Sequence, residues 1–374
     1  MEFLWYVLPF ILIFTVLVFV HELGHYFAAR QCGVRVEVFS VGFGKEIFGV
    51  TDKFGTRWKF SAIPLGGYVK LFGVLSPDKT NQNYCSSISD RKVSFYCKSI
   101  GQKAWIYFAG PLANLLFAVV VLAVVYGIVG KQYLPAYIGK ILPNSAAQMG
   151  GLKPGDRVVS VGQTKIKSFV ELSKIVRSSP GLSLSLVVQR NEKLISLIVV
   201  PKSIKIDPNR SSQTIGRLGV ASATGNFKFI QYNPLTATWQ ALIETVSMSG
   251  LILTYLGQVV SGERSTKELG GPIRIAQISG DVAQAGLFSS GLIKLAAFLS
   301  INLGIINLLP IPLLDGGQLL VLGIEGLRRK PLGKRLLAFY QNVGVIFILL
   351  LTVFVFWNDL VQLRIIDHLY GFIK

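Results

Sequence analysis

Residues 3–29 read FLWYVLPFILIFTVLVFVHELGHYFAA, and the fold turns on how this stretch is understood. From Phe3 to Val20 it carries no charge, and it exceeds the about 20 residues a helix needs to cross a ~30 Å hydrocarbon core. Near its end, His21-Glu22-Leu23-Gly24-His25 puts three ionisable side chains into little more than one helical turn. Ionisable groups inside a span are costly and mark function by default. Residues i and i+4 share a helix face, so both imidazoles can meet one metal ion, with Glu22 about 100° round. The H-E-x-x-H pattern is that of two zinc-binding histidines with a glutamate as general base and later acid. The plainer alternative is a structural histidine pair, in a chain holding only 3 histidines, His21, His25 and His368.

The composition fits a chain that crosses a membrane several times. Of 374 residues, 51% are hydrophobic and 15% charged, against about 25% charged in soluble domains. Disorder is excluded by the same numbers. The 38 Lys and Arg outweigh 19 Asp and Glu, giving a net charge of +19. They are scattered along loops in no zinc-finger, RNA-recognition or basic-zipper pattern, so no nucleic-acid partner is expected. The excess positive charge reads as topology and contact with anionic membrane lipid.

Three further apolar runs follow: Ala104–Gly130, Leu295–Leu314 and Val343–Trp357. The first run lacks a basic n-region and is too long for a signal peptide, so it reads as a retained span. Between the third and fourth runs lie Arg328, Arg329, Lys330, Lys334 and Arg335 with no acidic residue from Gly326 to Asn342. Positive residues gather on the cytoplasmic side. Residues 30–103 are then inside, 131–286 outside, and the N-terminus outside. Cys32, Cys85 and Cys97 all fall in the inside segment, where thiols stay reduced; they read as incidental.

A catalytic zinc takes three protein ligands and one open position. One acidic residue marks the end of the third run: Asp315, within Asn307-Leu-Leu-Pro-Ile-Pro-Leu-Leu-Asp-Gly-Gly317. The topology above brings it to the same depth as His21 and His25. A helix-capping or loop carboxylate is the alternative. Pro310 and Pro312 break the helix beside it, and irregular backbone at membrane depth is tolerated where it lines a polar cavity.

These residues resemble the site-2 proteases, zinc intramembrane metalloproteases, and most closely the bacterial regulator of sigma-E protease branch that serves the sigma-E stress response. The resemblance rests on His21–His25, on Asn307–Gly317, on Gly110-Pro-Leu-Ala-Asn114 and on Gly66-Gly-Tyr-Val-Lys70, and covers nearly the whole chain. It implies His21, His25 and Asp315 as ligands to one Zn²⁺, Glu22 as catalytic acid/base, and Asn307 as a contact to the substrate backbone. It also implies a sheet whose edge, at Gly67, Tyr68 and Val69, holds substrate as an extended strand. Two departures stand out. Some relatives carry two PDZ domains, and this chain has room for one; Gln318 follows Asp315-Gly-Gly where many relatives have His.

The implied organisation is a polytopic α-helical membrane protein of about four transmembrane helices, with one inserted extracytoplasmic β-rich PDZ domain and a cytoplasmic-side membrane-associated β-hairpin. The segments are 1–30 (first helix), 31–103 (inside loop with β-structure), 104–130 (second helix), 131–204 (PDZ domain), 205–286 (linker and interfacial helix), 287–325 (third helix), 336–358 (fourth helix) and 359–374 (tail). Val158, Val159 and Val161 with Leu184, Leu186 and Val188 suit half-buried strands about the Gly155-Asp156 turn. Tyr137-Ile-Gly-Lys-Ile141 is the expected loop for a peptide C-terminal carboxylate, the alternative being a steric filter that binds no peptide. Arg57 to Phe72 suggests β-structure with a Pro-Leu-Gly-Gly turn. Leu235–Val260 has helical spacing with polar interruptions and reads as an interfacial amphipathic helix, a fifth span being the alternative.

The resemblance implies a bacterial inner-membrane endopeptidase. Its substrate is a single-pass membrane protein of anti-sigma-factor or remnant signal-peptide type, already cut once outside. A metal transporter would need ionisable residues spaced along several spans, and these are almost lacking. A scaffold would have no need of Glu22.

Overall fold

The computed structural model describes residues 2–74, 88–205, 214–223, 227–265, 270–284, 286 and 289–362. Cys85 and His368 lie outside the described residues. The chain forms two compact units, Met1–Val125 with Asn233–Lys374, and Tyr126–Tyr232.

In the first unit the elements are α1 (Glu2–Gln31), β1 (Val36–Thr51), β2 (Arg57–Leu71), α2 (Ile88–Val93) and α3 (Ile100–Ile128), which continues to the unit boundary and just past it. The second unit holds β3 (Lys131–Tyr133), β4 (Ile138–Ile141), α4 (Ala146–Met149), β5 (Arg157–Val161), β6 (Thr164–Lys165), α5 (Phe169–Arg177), β7 (Leu184–Arg190), β8 (Lys193–Val199), β9 (Lys202–Lys205), β10 (Thr214–Arg217), β11 (Val220–Ser222) and β12 (Lys228–Ile230). The first unit then resumes with α6 (Pro234–Val260), α7 (Pro272–Ala283), α8 (Ser290–Asn307), α9 (Asp315–Arg328) and α10 (Lys334–Gln362).

Among the described residues, five helices are long and apolar enough to cross a membrane: α1, α3, α6, α8 and α10. Much of their apolar surface faces outward, as at Leu116 and Val120 of α3 and Leu350 and Val353 of α10. This is the reverse of a soluble bundle, and it suits a hydrocarbon surround. The fifth candidate, α6, was expected to be interfacial. Only one stripe of it is buried, Ala237, Ala241 and Thr245 at four-residue spacing, and its remaining faces are apolar enough to meet the length and hydropathy of a span.

The third expected helix, 287–325, is two helices. Pro310 and Pro312 remove two amide donors, so α8 stops at Asn307 and α9 starts at Asp315. Gly316 and Gly317 let α9 begin directly beneath this break, since a Cβ at either would overlap the carbonyl oxygens of Leu308 or Ile311.

The β-structure of the 31–103 segment is larger than the 57–72 stretch suggests. The first half of β1 pairs on one side with Gly67–Leu71 (Val41↔Gly67, Phe39↔Val69) and on the other with Arg57–Phe60 (Phe39↔Trp58). The two strands therefore fold into four short runs, with the reversal of β2 near Gly66, whose φ of 100° suits glycine. The sheet is fixed to α1 by Thr15, which donates to the Pro64 carbonyl at 3.2 Å, and by Asp52, which accepts from Trp58 Nε1 at 3.0 Å and Tyr26 Oη at 3.3 Å. Phe39, Val36 and Val34 close a core with Tyr26, Ala29 and Ile106. In the same segment Cys32 is a free thiol, but Cys97 is disulfide-bonded, which corrects the expectation of three reduced cysteines.

The second unit outgrows its expected limits of 131–204. β11 pairs with β4 and β12 with β3, so the chain returns after 205 to complete the domain. Its largest sheet is antiparallel in the order β6-β5-β7-β8. Leu186 and Val188 alternate inward from β7 and meet Leu172 and Val176, four residues apart on α5. Ser168 caps α5 by accepting from the Glu171 amide at 3.2 Å. Buried Asp156 takes the Lys153 amide and two bonds from Arg190, each at 2.7 Å. Burial alone would raise this carboxyl, but the Arg190 guanidinium outweighs it and holds Asp156 below the ordinary carboxylate range.

Candidate metal centre

The site is assembled at the second half of α1. His21 and His25 sit one turn apart with ring centroids 4.8 Å apart and Nε2 atoms separated by 3.2 Å. Asp315, at the first turn of α9, brings Oδ2 to 3.1 Å from His21 Nε2 and Oδ1 to 3.4 Å from His25 Nε2. One potential ligand atom from each residue lies within 4.8 Å of the others. The break after α8 makes this convergence feasible, because it lets Asp315 enter from a new helix start.

The donor set can be tested for its fit to a cation. His25 Nδ1 lies 2.7 Å from the Ile106 carbonyl oxygen, which can only accept. Nδ1 of His25 therefore carries the proton, and Nε2 turns a lone pair toward Asp315 and His21. The His25 Nε2 lone pair and the Asp315 carboxylate, 3.4 Å apart, are then both acceptors. They are mutually repulsive unless a cation lies between them. The residues fit a zinc ion, whose usual donors are imidazole nitrogen and carboxylate oxygen.

Glycine controls the approach of the helices. A Cβ at Gly110 would overlap the His25 ring and meet His21 Cε1 at 2.9 Å, and one at Gly24 would overlap the Ala109 carbonyl oxygen. α3 therefore passes directly behind the two imidazoles. Asn114, one turn beyond Gly110, puts its side-chain amide 3.2 Å from His21 Nδ1.

A cleft of about 560 Å³ opens in front of the cluster. Its lining includes His21, Glu22, His25, Tyr68, Asn307 and Asp315, with Gly67 and Val69 beside them. Gly67 packs on Glu22, since a Cβ there would meet Glu22 Cγ at 3.3 Å. The Gly67–Leu71 run pairs with β1 along one edge, and no further strand pairs with its other edge among the described residues. All eight residues singled out in the sequence thus border one cleft.

Three features of the site were not assigned from sequence: the Ile106 carbonyl, Gly110 and the Asn114 amide. The Gly110-x-x-x-Asn114 spacing carried a signal, because i and i+4 share a face, but nothing in the sequence said that the face meets α1. The carboxylate loop expected at Tyr137–Ile141 is also corrected. Ile138–Ile141 is β4, occupied in pairing β11. A groove of the second unit, about 490 Å³, lies along α5 and the β10–β11 connection, at Leu172, Val176, Arg177, Arg217, Leu218 and Gly219.

A bundle of apolar helices enclosing an H-E-x-x-H turn, a converging aspartate and a substrate-sized cleft defines a zinc metalloendopeptidase of membranes. Residues 9–351 match peptidase family M50, and the chain belongs to this family of site-2 proteases. A protein of Agrobacterium fabrum named as a zinc metalloprotease is 39% identical over 366 residues, covering 96% of each chain. One from Brucella suis, named likewise, is 38% identical and covers 95% of this chain and 94% of its own. Metalloprotease MmpA of Caulobacter vibrioides is 32% identical, covering 93% of both.

Proposed function

We propose that this protein is an intramembrane endopeptidase that cuts the transmembrane segment of single-pass membrane proteins in regulated intramembrane proteolysis. The single observation that carries the reading is the convergence of His21, His25 and Asp315 on the cleft that also holds Glu22. His21, His25 and Asp315 hold the zinc. When bound, zinc supplies Lewis acidity to the scissile carbonyl and to the attacking water. Glu22 takes the proton from that water and returns it to the departing amine. Asn307, at the end of α8, holds the substrate backbone. The open edge at Gly67, Tyr68 and Val69 takes the unwound segment as an added strand, which replaces the hydrogen bonds a helix loses on unwinding.

The protein lies in the bacterial inner membrane with its active site toward the cytoplasm and the Tyr126–Tyr232 unit outside. The basic loop at Arg328–Arg335 supports this orientation. The metal cluster supports the number of crossings. Asp315 follows α8 and meets His21 near the end of α1, so α1 and α8 finish on the same side. Crossing out by α3 and back by α8 satisfies this. A crossing by α6 as well would deliver Asp315 to the far side, and α7, with 12 residues, is too short to reverse it. α6 is therefore read as interfacial.

The outer unit acts as a PDZ domain. Its groove beside α5, with Arg177 and Arg217 at its rim, suits the acidic end of a peptide, as an earlier outside cut would create. Anti-sigma factors and remnant signal peptides are the substrate types. The test compares wild type with Glu22→Gln on a truncated single-span reporter in cells lacking related proteases. Cleavage within the span by wild type alone supports the reading; equal cleavage by both overturns the role of Glu22.

A further inference from the structure

We propose that Asn114 is a positioning residue that fixes His21 in its zinc-binding tautomer. This rests on the assignment of His21 as a ligand. His21 can offer a lone pair from Nε2 only if its proton sits on Nδ1, and a protonated Nδ1 needs an acceptor. For His25 that acceptor is the Ile106 carbonyl. For His21 the group facing Nδ1 is the Asn114 side-chain amide, whose Nδ2 position lies 3.2 Å away.

The two ends of an amide are nearly the same size, and hydrogen-bond chemistry decides which faces a neighbour. With the NH₂ end toward His21, Nδ1 would be the acceptor and the proton would sit on Nε2. That N–H would then point at His25 and Asp315 and occupy the position of the metal. With the oxygen end toward His21, Nδ1 donates and Nε2 is free. Asn114 therefore presents its oxygen. The residue is fully buried with Nδ2 toward His21 and Oδ1 without a partner among the described residues; exchanging the two ends of the amide gives that oxygen the His21 Nδ1–H as its donor. A buried amide left half-satisfied is costly unless its other end is needed.

The amide is also held in place. Ser300 of α8 donates to the Asn114 backbone carbonyl at 2.8 Å, and Gly24 brings α1 against Ala109 and Ala113 of α3. One residue thus links the ligand on α1 to the helix that leads to Asp315.

The experiment measures zinc per chain in purified full-length wild type, Asn114→Leu and Asn114→Asp after dialysis against graded chelator. Outer partners of metal-bound histidines typically govern affinity by about 10–100-fold. Asn114→Leu should therefore release zinc at about 10–100-fold lower chelator. Asn114→Asp, which keeps an acceptor, should stay within about threefold of wild type. A folded Asn114→Leu that holds zinc like wild type overturns the proposal, as does an Asp variant that loses it like Leu. Wild type whose zinc is indifferent to His21→Ala would sink the ligand assignment itself, a separate failure. Should Asn114→Leu not fold, ¹⁵N-histidine NMR of zinc-loaded wild type decides, helped by a total of 3 histidines. A proton on His21 Nδ1 is expected; one on Nε2 overturns the proposal.

Discussion

His25 Nδ1 stands 2.7 Å from the Ile106 carbonyl oxygen, and this contact sets which nitrogen of His25 is left for a metal. The contact lies close to Pro111, the proline inside α3. Pro111 has no amide to offer the Tyr107 carbonyl, which loosens the helical ladder beside Ile106. Gly110 makes room for the imidazole, and the Ile106 carbonyl is its acceptor.

From this follows the effect of filling that room. In Gly110→Ala the new methyl overlaps both imidazoles. Overpacking of this kind costs about 1–3 kcal/mol, and here the side chains that must yield are the ligands. Zinc content should fall by about tenfold or more, with thermal stability lowered only modestly. A variant with full zinc occupancy would show that α3 can move away from α1.

Removal of a ligand is a cleaner loss. Asp315→Ala leaves two imidazoles and no charge to balance the ion, so purified protein should carry little zinc and no activity. Chelation of wild type should abolish activity, and added Zn²⁺ should restore it. Glu22→Gln should behave differently: zinc is kept, while the rate falls by about 10²–10⁴-fold, the usual scale of general acid–base catalysis. Equal zinc loss in Glu22→Gln would make Glu22 a ligand.

The clustering of His21, His25 and Asp315 was legible in the sequence because its signals are local. H-E-x-x-H declares its geometry through helical periodicity, and Asp315 is marked by the prolines before it. Neither the partners on α3 nor the sheet could be read that way. Nothing local says that Val36–Val41 lies between two runs of β2, since this depends on a reversal at Gly66 inside an apparently continuous strand. The second unit was cut short for a similar reason: β11 and β12 are three residues each, and they exist because β4 and β3 have edges to fill. The groove beside α5 went with them.

The open edge gives a prediction that separates structure from catalysis. Successive amides of a strand point to opposite edges. Of Tyr68→Pro and Val69→Pro, one breaks the pairing with β1 and the other removes a donor from the free edge. The first should destabilise the hairpin. The second should leave it folded and cut cleavage of transmembrane reporters severely, while zinc content stays unchanged. Full activity in both would show that the edge takes no substrate.

In the Tyr126–Tyr232 unit, Asp156 and Arg190 form a pair in which the carboxylate is buried. Removing one partner of such a pair costs about 3–5 kcal/mol, so Arg190→Met should expose the unit to proteolysis at neutral pH. Because the Asp156 carboxyl is held below its ordinary value of about 3.9, its contribution is complete above that pH. It fades as pH falls through the lowered value. Wild type and Asp156→Asn should therefore differ in stability at pH 7 and converge under acid. A difference that persists undiminished in acid would mean that packing, not charge, holds the turn.

The number of crossings can be read with two cysteines. If α6 lies along the surface, Lys193 on β8 and Lys330 in the basic loop are on opposite sides of the membrane. If α6 crosses, they are on the same side, and His21 and Asp315 could meet only by breaking the parity that α3 and α8 establish. Lys193→Cys and Lys330→Cys, both at exposed positions, should react differently with a membrane-impermeant maleimide added to intact cells stripped of their outer membrane. Mass spectrometry then identifies the labelled cysteine. Labelling at 193 alone is expected, with 330 reacting only after the membrane is opened. Labelling of both at once would place α6 across the bilayer, and the shared depth of the metal ligands would need another explanation.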